Sequence, residues 1–341
     1  MRISWFSRIS VLFGMTSALA LATCPATSAA ELGGGAARLA ASRHSEAPGA
    51  VEYQLVDLGT LGGESSFTQA MNDRGAVVGS AQTADGRYHG FIWRDGTMTD
   101  LGLFTPWDVN NRGQVVGTRD DANGVYLWSR GTLTQLAGLS FPTAINDRGQ
   151  VVGLAPVDGG PDEPALWSRG RVRALPLDTV SDLNNRGQIS GGRLSDTGFH
   201  ASVWRRGRVT DLGATAFDRS NTYGINNKGW VIGWTFSAEQ TERGALWRHG
   251  TRTDLGTLGG DATHPVAIND HGVILVTSQI ANGYMHPALW QNGGLTDLGD
   301  SGLDVNGEVT DLNNRGEIAG AIRMDETAHA VVYRPSQSSE R

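Results

Sequence analysis

The sequence contains a single cysteine, Cys24, which lies close to the N-terminus. The remainder of the chain therefore has no disulfide and no thiol chemistry. Beyond residue 30 there is no apolar run long enough to suggest a membrane-spanning helix. The spacings Gly-x-Ser-x-Gly, His-Glu-x-x-His and Gly-x-x-x-x-Gly-Lys-Ser/Thr are also missing. Common signatures of serine hydrolases, zinc proteases and phosphate-binding loops are thus excluded.

The first thirty residues have the features of a signal peptide. Arg2 and Arg8 supply positive charge around the start of an apolar run at 11–23, and residues 28–30 are Ser-Ala-Ala, which a signal peptidase accepts. The apolar run is too short to span a bilayer comfortably. We therefore predict that residues 1–30 are cleaved and that the protein is secreted, to the periplasm or outside the cell.

Three short segments flank the body of the chain or modify its export. A lipid anchor on Cys24 is disfavoured, because Thr23 stands where a small residue is needed. Residues 31–52 are rich in glycine and alanine and lack periodicity, which predicts a flexible leader. Residues 335–341 follow the last repeat, and we predict a disordered tail there.

The net charge limits the kinds of molecule that the protein is expected to bind. The formal net charge is −7, and it becomes −9 without residues 1–30, because that segment holds two arginines and no acid. A secreted acidic chain is a poor candidate for binding nucleic acid. We therefore expect no nucleic-acid partner.

Seven copies of one pattern fill residues 53–334. Each copy has an Asn-x-x-Gly turn, followed 18 to 21 residues later by an aromatic residue, and the period is 36 to 44 residues. The turns pair Asn72 with Gly75, Asn110 with Gly113, Asn146 with Gly149, Asn184 with Gly187, Asn226 with Gly229, Asn269 with Gly272 and Asn313 with Gly316, and the aromatics are Trp93, Trp128, Trp167, Trp204, Trp247, Trp290 and Tyr333. This period is typical of a four-stranded propeller blade.

The third copy shows the expected strands. Strand a is predicted at 143–146, strand b at 150–153, strand c at 164–167 and strand d at 171–175. Asparagine suits the start of the a–b turn, and glycine at its fourth position adopts a positive φ without steric cost. Two hairpins per copy indicate an antiparallel sheet.

The seventh copy lacks strand d, since the chain runs out at 333–335. Residues 53–59, Tyr-Gln-Leu-Val-Asp-Leu-Gly, match strand d and precede the first strand a. We predict that they complete the last blade and close an all-β, seven-bladed propeller. Closure protects sheet edges that an open array would expose. An open β-solenoid or paired sandwiches are the remaining alternatives.

Two recurring phrases resemble a known family. A His-Ala-Phe-like tripeptide precedes the aromatic in four copies, at His89, His200, His286 and His329, and Asp-Leu-Gly-Thr-Leu-Gly-Gly occurs at 57–63 and 254–260. Together with the repeat spacing, these phrases resemble the HAF family of bacterial extracellular repeat proteins. The resemblance covers essentially the whole chain after the signal peptide. It implies secretion and a repeat fold, and it supplies no catalytic residues.

The recurring residues are interpreted as framework. One aromatic per blade suits packing between neighbouring blades. The four histidines are predicted to form structural hydrogen bonds, because the third strands of different blades lie too far apart to share a zinc ion. A repeated aspartate on strand d, at Asp100, Asp211, Asp254 and Asp297, is interpreted in the same way. A calcium loop at 304–308 is a weak alternative. No metal or other cofactor is expected.

Residues that break the repeat are better candidates for function. Five extra aromatics fall on the face that carries the longer d–a and b–c loops, which we call the long-loop face: Trp107, Phe217, Tyr223, Trp234 and Phe236. Arg219 and Glu239 lie near the four that belong to blade 5. Aromatic side chains beside polar groups suit a sugar or a peptide ligand. The alternative is that they only cover a longer loop.

The two faces are predicted to differ in charge. The long-loop face collects acids, namely Asp85, Asp120, Asp121, Asp158, Asp162, Glu163, Asp196, Glu239, Glu242, Asp325 and Glu326. The opposite face, here called the tight-turn face, collects Arg74, Arg112, Arg148, Arg186, Lys228 and Arg315 from the a–b turns and Arg130, Arg169, Arg205, Arg206 and Arg248 from the c–d turns. Asp73, Asp147, Asp270 and Asp95 offset part of this basic charge. Such a molecule could dock its basic side onto an anionic envelope polymer. The alternative is a solvated surface whose turns merely tolerate arginine.

The leading hypothesis is a secreted, monomeric, non-enzymatic propeller that binds an unidentified glycan or protein through its long-loop face near blade 5. The second hypothesis is a polysaccharide hydrolase or lyase with its site at the mouth of the central channel. Two carboxylates from different blades, about 5–10 Å apart in a channel mouth, would favour the enzyme. A purely structural envelope protein is the third.

Overall fold

The computed structural model describes residues 52–196, 198–213, 219–236, 242–299, 303 and 308–336. The predicted signal peptide and Cys24, residues 31–51 of the leader, the calcium loop at 304–307 and residues 337–341 of the tail lie outside these ranges. Every regular element within them is a β-strand, and the strands number twenty-eight in that part of the chain.

Six blades take four consecutive strands each. Blade 1 contains β2 (Gly62–Met71), β3 (Val77–Thr83), β4 (Tyr88–Arg94) and β5 (Thr97–Gly102). Blade 2 contains β6 (Phe104–Val109), β7 (Val115–Arg119), β8 (Val125–Ser129) and β9 (Thr132–Gln135). Blade 3 contains β10 (Phe141–Ile145), β11 (Val151–Ala155), β12 (Glu163–Ser168) and β13 (Arg171–Ala174). Blade 4 contains β14 (Thr179–Leu183), β15 (Ile189–Ser195), β16 (Gly198–Arg205) and β17 (Arg208–Asp211).

The remaining blades complete the ring. Blade 5 contains β18 (Ser220–Ile225), β19 (Val231–Phe236), β20 (Glu242–Arg248) and β21 (Thr251–Asp254). Blade 6 contains β22 (Gly259–Ile268), β23 (Ile274–Ile280), β24 (Met285–Gln291) and β25 (Gly294–Asp297). Blade 7 contains β26 (Glu308–Leu312), β27 (Ile318–Met324), β28 (Thr327–Pro335) and the N-terminal β1 (Tyr53–Asp57).

The seven sheets form a closed seven-bladed β-propeller. Each sheet is antiparallel and its strands follow one another in chain order, apart from β1 in blade 7. The first strand of every blade contacts the first strands of both neighbouring blades, and β26 of blade 7 contacts β2 of blade 1. The first strands therefore surround the axis. The predicted fold class is confirmed, and the third-copy strands lie within two residues of their predicted bounds.

Blade 7 is closed by the N-terminal strand, as predicted. Tyr53 pairs with Pro335 and Asp57 pairs with Val331, so β1 runs antiparallel to β28 over all five of its residues. The Ser336 amide also donates to the Glu52 carbonyl at 2.7 Å. Pro335, assigned from sequence to the tail, is thus the last residue of β28. β28 is therefore paired on both sides, with β27 and with β1, so that neither of its edges is open to another strand.

Apolar residues fill each of the seven interfaces between neighbouring blades. The interface between blades 4 and 5, for example, combines Ala201 and Val203 with Ile225, Val231 and Trp247. The same arrangement recurs around the ring, and each interface includes the repeat aromatic of the later blade. Trp93, Trp204, Trp247, Trp290 and Tyr333 are buried, while Trp128 and Trp167 are partly buried. The framework aromatics therefore join blades rather than face solvent.

Two kinds of turn form the tight-turn face. The glycine of every a–b turn has a positive φ, between 69° and 87°. In six blades the c–d turn has two residues with positive φ, and the second is always glycine. That pair of angles defines a type I′ turn, which matches the twist of a two-stranded hairpin. All these turns are short, so the tight-turn face has no protruding loop.

Candidate functional site

The repeat asparagines form a circle of hydrogen bonds around the axis. The Nδ2 of each asparagine donates to the backbone carbonyl of the equivalent asparagine in the next blade, starting with Asn72 to Asn110 at 2.8 Å. The circle continues through Asn146, Asn184, Asn226 and Asn269 to Asn313, which donates back to Asn72 at 3.3 Å. Each asparagine Oδ1 also accepts two amides of its own turn, as at Asn72. The turn asparagine thus fixes both its own turn and the next blade.

A second circle is formed by the residue that follows each asparagine. Its backbone amide donates to the side-chain Oδ1 of the equivalent residue in the next blade, at 2.6 to 3.0 Å around the ring. The members are Asp73, Asn111, Asp147, Asn185, Asn227, Asp270 and Asn314. Asp and Asn both carry a side-chain oxygen at the same distance from the backbone. Three Asp and four Asn residues therefore provide every acceptor of the circle.

Two carboxylates of this circle meet the distance set for the enzyme hypothesis. The Oδ2 atoms of Asp73 and Asp147 accept hydrogen bonds from the same Asn111 Nδ2, at 2.9 and 3.1 Å, and so lie at most about 6 Å apart. Acid pairs of glycosidases are about 5–9.5 Å apart. However, each Oδ1 of the pair accepts a backbone amide of the circle, so all four carboxylate oxygens bind framework donors.

The cavity at these carboxylates is small. The two circles and the apolar residues that precede them line an axial cavity of about 160 Å³. Pockets that bury a drug-sized ligand measure about 300–1,000 Å³. The cavity beside the two carboxylates is therefore smaller than a pocket that buries a ligand of that size.

Further along the channel, three aspartates on inner strands link neighbouring blades. The Oδ2 of Asp108, Asp182 and Asp311 accepts the amide of Ile145, Ile225 and Met71 in the next blade, at 2.8, 2.9 and 2.8 Å. At the aspartate's position, the blade that donates the amide carries only Ala144, Gly224 or Ala70. The small residue leaves room beside the axis for the neighbour's carboxylate. These acids are also bound to the framework.

Each of the four histidines proves to pair with a strand-d aspartate, and of the four predicted aspartates only Asp254 has no such partner among the described residues. His89 Nδ1 lies 3.0 Å from the carboxylate of Asp100, and His200 lies 2.8 Å from Asp211. The same bond joins His286 to Asp297 in blade 6, and His329 to Asp57 across the ring closure. Because a carboxylate only accepts, Nδ1 carries the proton. Oδ1 of the aspartate also accepts the amide of the glycine two residues on, as at Gly102 and Gly59.

The predicted ligand aromatics do not form one site. Trp234 and Phe236 lie on β19 with their rings 5.3 Å apart, edge to face. Tyr223 packs against the interface between blades 5 and 6, where burial and then Glu242 raise the pKa of its phenol. Trp107 belongs to blade 2 and contacts Phe141 at 4.5 Å. All four are partly buried. Phe217 and Glu239 lie outside the described residues.

Other side chains are far more exposed on the long-loop face. Of the ten exposed large hydrophobic residues in the described ranges, eight lie at this end of their blades: Phe67, Tyr88, Leu103, Val157, Leu194, Tyr284, Met285 and Met324. Six of the eight belong to blades 6, 7 and 1 or to the loop that leaves blade 1. We call these six the apolar arc: Phe67, Tyr88, Leu103, Tyr284, Met285 and Met324. Tyr284 is 70% exposed.

The phrase Asp-Leu-Gly-Thr-Leu-Gly-Gly helps to present the arc. It precedes β2 and β22, which have ten residues where the other inner strands have five or six. In blade 1, Gln82 accepts the Glu64 amide at 3.0 Å and donates to the Gly86 carbonyl at 3.1 Å. Gln279 makes the same two bonds in blade 6. The glutamines fix the b–c hairpins that lead to Tyr88 and Tyr284.

Sequence reasoning missed the arc because four of its six members occupy ordinary strand positions and the other two, Leu103 and Tyr284, lie in short loops between strands. Phe67 and Tyr88 lie in β2 and β4, and Met285 begins β24. A search for residues that interrupt the repeat passes over them. The shared phrase ahead of blades 1 and 6 was the available signal, because it marks two blades as different from the rest.

The charges of the two faces follow the predicted division. The turn residue two places after each asparagine is exposed, and in six blades it is a cation. On the long-loop face, a hydrogen bond from Thr83 and the neighbouring Arg87 hold the pKa of the Asp85 carboxyl below its usual range. Arg119 does the same for Asp121.

The described residues contain neither a candidate metal site nor a candidate membrane-spanning helix. No group of three or more His, Cys, Asp or Glu side chains within them has the arrangement of a metal site. No helix in the same ranges has the length and hydropathy to cross a membrane.

Comparisons with known proteins identify the fold. Neither the models of known protein families nor the curated proteins gave a match. Among solved structures, the propeller domain of the Trilobed protease from Pyrococcus furiosus has a TM-score of 0.57 at 8% identity, covering 80% of this chain and 96% of that one. YCF48 bound to D1 peptide has a TM-score of 0.54 at 13% identity, with 86% and 98% covered.

A third neighbour is a puromycin-hydrolysing peptidase from Mycobacterium tuberculosis, with a TM-score of 0.55 at 13% identity. The alignment covers 84% of this chain, which spans about half the length of the peptidase. Identities this low establish a shared fold only. The chain thus has the β-propeller fold.

Proposed function

We propose that this protein is a secreted, non-enzymatic propeller that binds a protein partner through the apolar arc of its long-loop face. The observation that carries the proposal is the concentration of exposed large hydrophobic side chains on three consecutive blades. Exposed apolar side chains that are grouped on one part of a surface often mark a protein–protein interface. Aromatic residues and methionine are also enriched in protein interfaces.

The arc combines aromatic anchors with negative charge. Phe67 and Tyr88 lie with ring centroids 6.3 Å apart, and both are more than one third exposed. Exposed acids accompany the arc in the same blades, namely Glu64, Asp85, Asp261, Asp325 and Glu326. Arg87 and Arg323 are the exposed cations nearby. The complementary partner is therefore a polypeptide with apolar and basic side chains.

This proposal moves the binding surface from blade 5 to blades 6, 7 and 1. Trp234 and Phe236 pack on each other and are partly buried, so less of their surface is available to a ligand. Tyr284, in contrast, is 70% exposed, so its packing adds little to the stability of the fold. YCF48, which shares the fold, was solved bound to a peptide. That likeness adds only that a propeller of this length accommodates a peptide.

Secretion and membership of the HAF family remain part of the proposal. They are supported by the arginines and apolar run of residues 1–30 and by the two recurring phrases. Both recurring sequence motifs have a structural role in this fold. The histidine of the tripeptide bonds to the strand-d aspartate, and Asp-Leu-Gly-Thr-Leu-Gly-Gly precedes the two long inner strands.

The hydrolase or lyase alternative has one observation in its favour, the close approach of Asp73 and Asp147. Their four oxygens bind framework donors and their cavity measures about 160 Å³. A general acid must be free to approach the leaving group. We therefore favour binding over catalysis.

Selection from a random peptide library displayed on phage would test the proposal. We expect enriched peptides to combine aromatic or aliphatic residues with Lys or Arg. Their affinity should fall at least about tenfold in the double variant Tyr88→Ser/Tyr284→Ser, since truncating interface anchors commonly costs that much. The matched control is Leu55→Ser/Val172→Ser, which removes exposed apolar residues from outer strands.

Equal loss in the control would contradict a specific arc. Binding that survives both double variants but is lost in Trp234→Ala would return the site to blade 5. Capture of glycans with no enrichment of peptides would contradict a protein partner.

A further inference from the structure

The tight-turn face carries a ring of cations that the proposed partner surface does not use. Its a–b turns contribute six exposed basic residues: Arg74, Arg112, Arg148, Arg186, Lys228 and Arg315. The c–d turns and the strand ends before them contribute six more: Arg94, Arg130, Arg169, Arg205, Arg206 and Arg248. The concentration is notable because the whole chain has a net charge of −7.

Few acids oppose these cations. Asp73, Asp147 and Asp270 surround the axis and are bound in the second circle. Asp95 is exposed on a c–d turn, and Glu317 is buried beneath Arg315 and Arg334. The side chains of Arg112, Arg148 and Arg186 make no hydrogen bond or ion pair within the described part of the chain. A positive ring thus surrounds a small acidic centre.

The choice of arginine in the c–d turns is costly for the backbone. Type I′ turns favour Asn, Asp or Gly at the first position, because that residue has a positive φ. Arg130, Arg169 and Arg206 stand there with φ of 50°, 52° and 50°. Asn292 shows that asparagine serves equally well in blade 6. Turn geometry therefore gives no reason for arginine, whereas a need for positive charge does.

One aromatic residue holds two of the cations in place. Trp230 follows the blade 5 turn, where most other blades have a smaller or more polar residue. Lys228 Nζ and Arg248 Cζ lie 5.1 and 4.9 Å from its ring centroid. Cations at this distance are attracted by the ring. Trp230 therefore orders two charges of the face, and its ring is already in contact with these cations.

The shape of the face decides between a polymer chain and a surface. Seven turns of equal length and six two-residue turns leave no groove to hold a single strand. The repeat tryptophans are packed between blades, so sugars lack the aromatic platforms on which they usually stack. The axial opening is lined by carboxylates, which repel an anion. A flat ring of guanidinium groups fits a flat layer of phosphates better than a polysaccharide strand.

We propose that the tight-turn face docks onto an anionic lipid surface through phosphate headgroups. None of the exposed large hydrophobic residues of the described ranges lies on this face. Docking is therefore electrostatic and peripheral, and it weakens as salt shortens the range of attraction. The long-loop face then points away from the lipid. This inference does not depend on the proposed partner.

Cosedimentation of the full chain with vesicles tests the proposal. The vesicles are phosphatidylcholine alone, or phosphatidylcholine with one quarter phosphatidylglycerol. We expect binding to the anionic vesicles only, falling at least about tenfold between 0.05 and 0.3 M salt. The triple variant Arg112→Gln/Arg148→Gln/Arg186→Gln should bind at least about tenfold more weakly at low salt.

The control is Arg87→Gln/Arg193→Gln/Arg323→Gln, which removes the same charge from exposed positions near the long-loop face. It should bind within about twofold of the native chain, since only the docking face meets the headgroups. Melting temperatures of both triples check that they are folded. Equal weakening in both triples, equal binding to neutral vesicles, or binding to soluble alginate but not to anionic vesicles would each overturn the proposal.

Discussion

The two faces of the ring differ in how far they repeat. On the tight-turn face, each blade contributes the same four-residue turn, and each turn donates to the next through two circles of hydrogen bonds. On the long-loop face, loops vary in length and the exposed apolar residues differ from blade to blade. A change in one tight turn would disturb its neighbours. The long-loop face lacks that constraint, which leaves it free to acquire a partner.

The closure of blade 7 gives the largest test of this contrast. Deleting residues 53–59 removes β1, the partner of the long strand β28, and the aspartate bound to His329. We expect unfolding, self-association through the freed edge, or a melting temperature lower by about 10 °C or more. Removing residues 337–341 is the control. A monomer with unchanged melting temperature after the 53–59 deletion would contradict closure.

Aromatic residues at the two faces should differ strongly in stability. Trp247 is 3% exposed between blades 4 and 5, and Trp247→Ala should lower the free energy of unfolding by about 3–5 kcal/mol. Tyr284 is 70% exposed, and Tyr284→Ala should change it by less than about 0.5 kcal/mol. Urea unfolding of both variants gives the comparison. Similar costs would mean that the arc is part of the core.

Replacing a carboxylate at each of the two faces should also change the free energy of unfolding unequally, with a smaller difference than for the aromatic residues. Asp147 Oδ2 accepts amide hydrogens from both Asn111 and Asn185. Asp147→Asn replaces the two carboxylate oxygens with one amide oxygen and one NH₂ group, so the circle loses an acceptor. We expect the free energy of unfolding to fall by about 1–3 kcal/mol. Asp158→Asn, on an exposed loop of the same blade, should be within about 0.5 kcal/mol of neutral. A neutral Asp147→Asn would show that the second circle contributes little.

The smallest expected effect is a loss of stability at high pH through ionisation of Tyr53. Burial raises the pKa of Tyr53, in the closing strand, from 10.0 to about 12. The neutral phenol therefore contributes stability that is present below pH 10 and is lost as the pH rises through about 12. Thermal unfolding should show a steeper loss above pH 10 in the native chain than in Tyr53→Phe. Tyr284→Phe should match the native chain, and a flattened profile in that variant would contradict the assignment.

The fold could be predicted because equal spacing fixes equal units. Seven turn glycines, one aromatic per copy and a strand displaced to 53–59 were sufficient for blade number and closure. The histidines and the strand-d aspartates were each noted, but their pairing depends on strand register, which places His89 beside Asp100. Register was available in principle, because the two residues flank a two-residue turn.

The binding surface was harder to predict. Whether Phe67 or Tyr88 is exposed depends on how neighbouring loops cover the ends of β2 and β4, and sequence spacing does not describe loop coverage. Asp73 and Asn111 lie in separate turns of the sequence. Their contact requires two turns 38 residues apart to meet at the axis, which only ring geometry reveals.

Hydrogen exchange at the tight turns tests the central claim most directly. In each blade, the amide four residues after the turn asparagine donates to that asparagine's Oδ1, from Ala76 in blade 1 to Glu317 in blade 7. A closed ring predicts that the seven amides exchange slowly and at similar rates, more slowly than amides of the b–c loops. Much faster exchange in blades 1 and 7 than in blades 3 and 4 would contradict the closed frame.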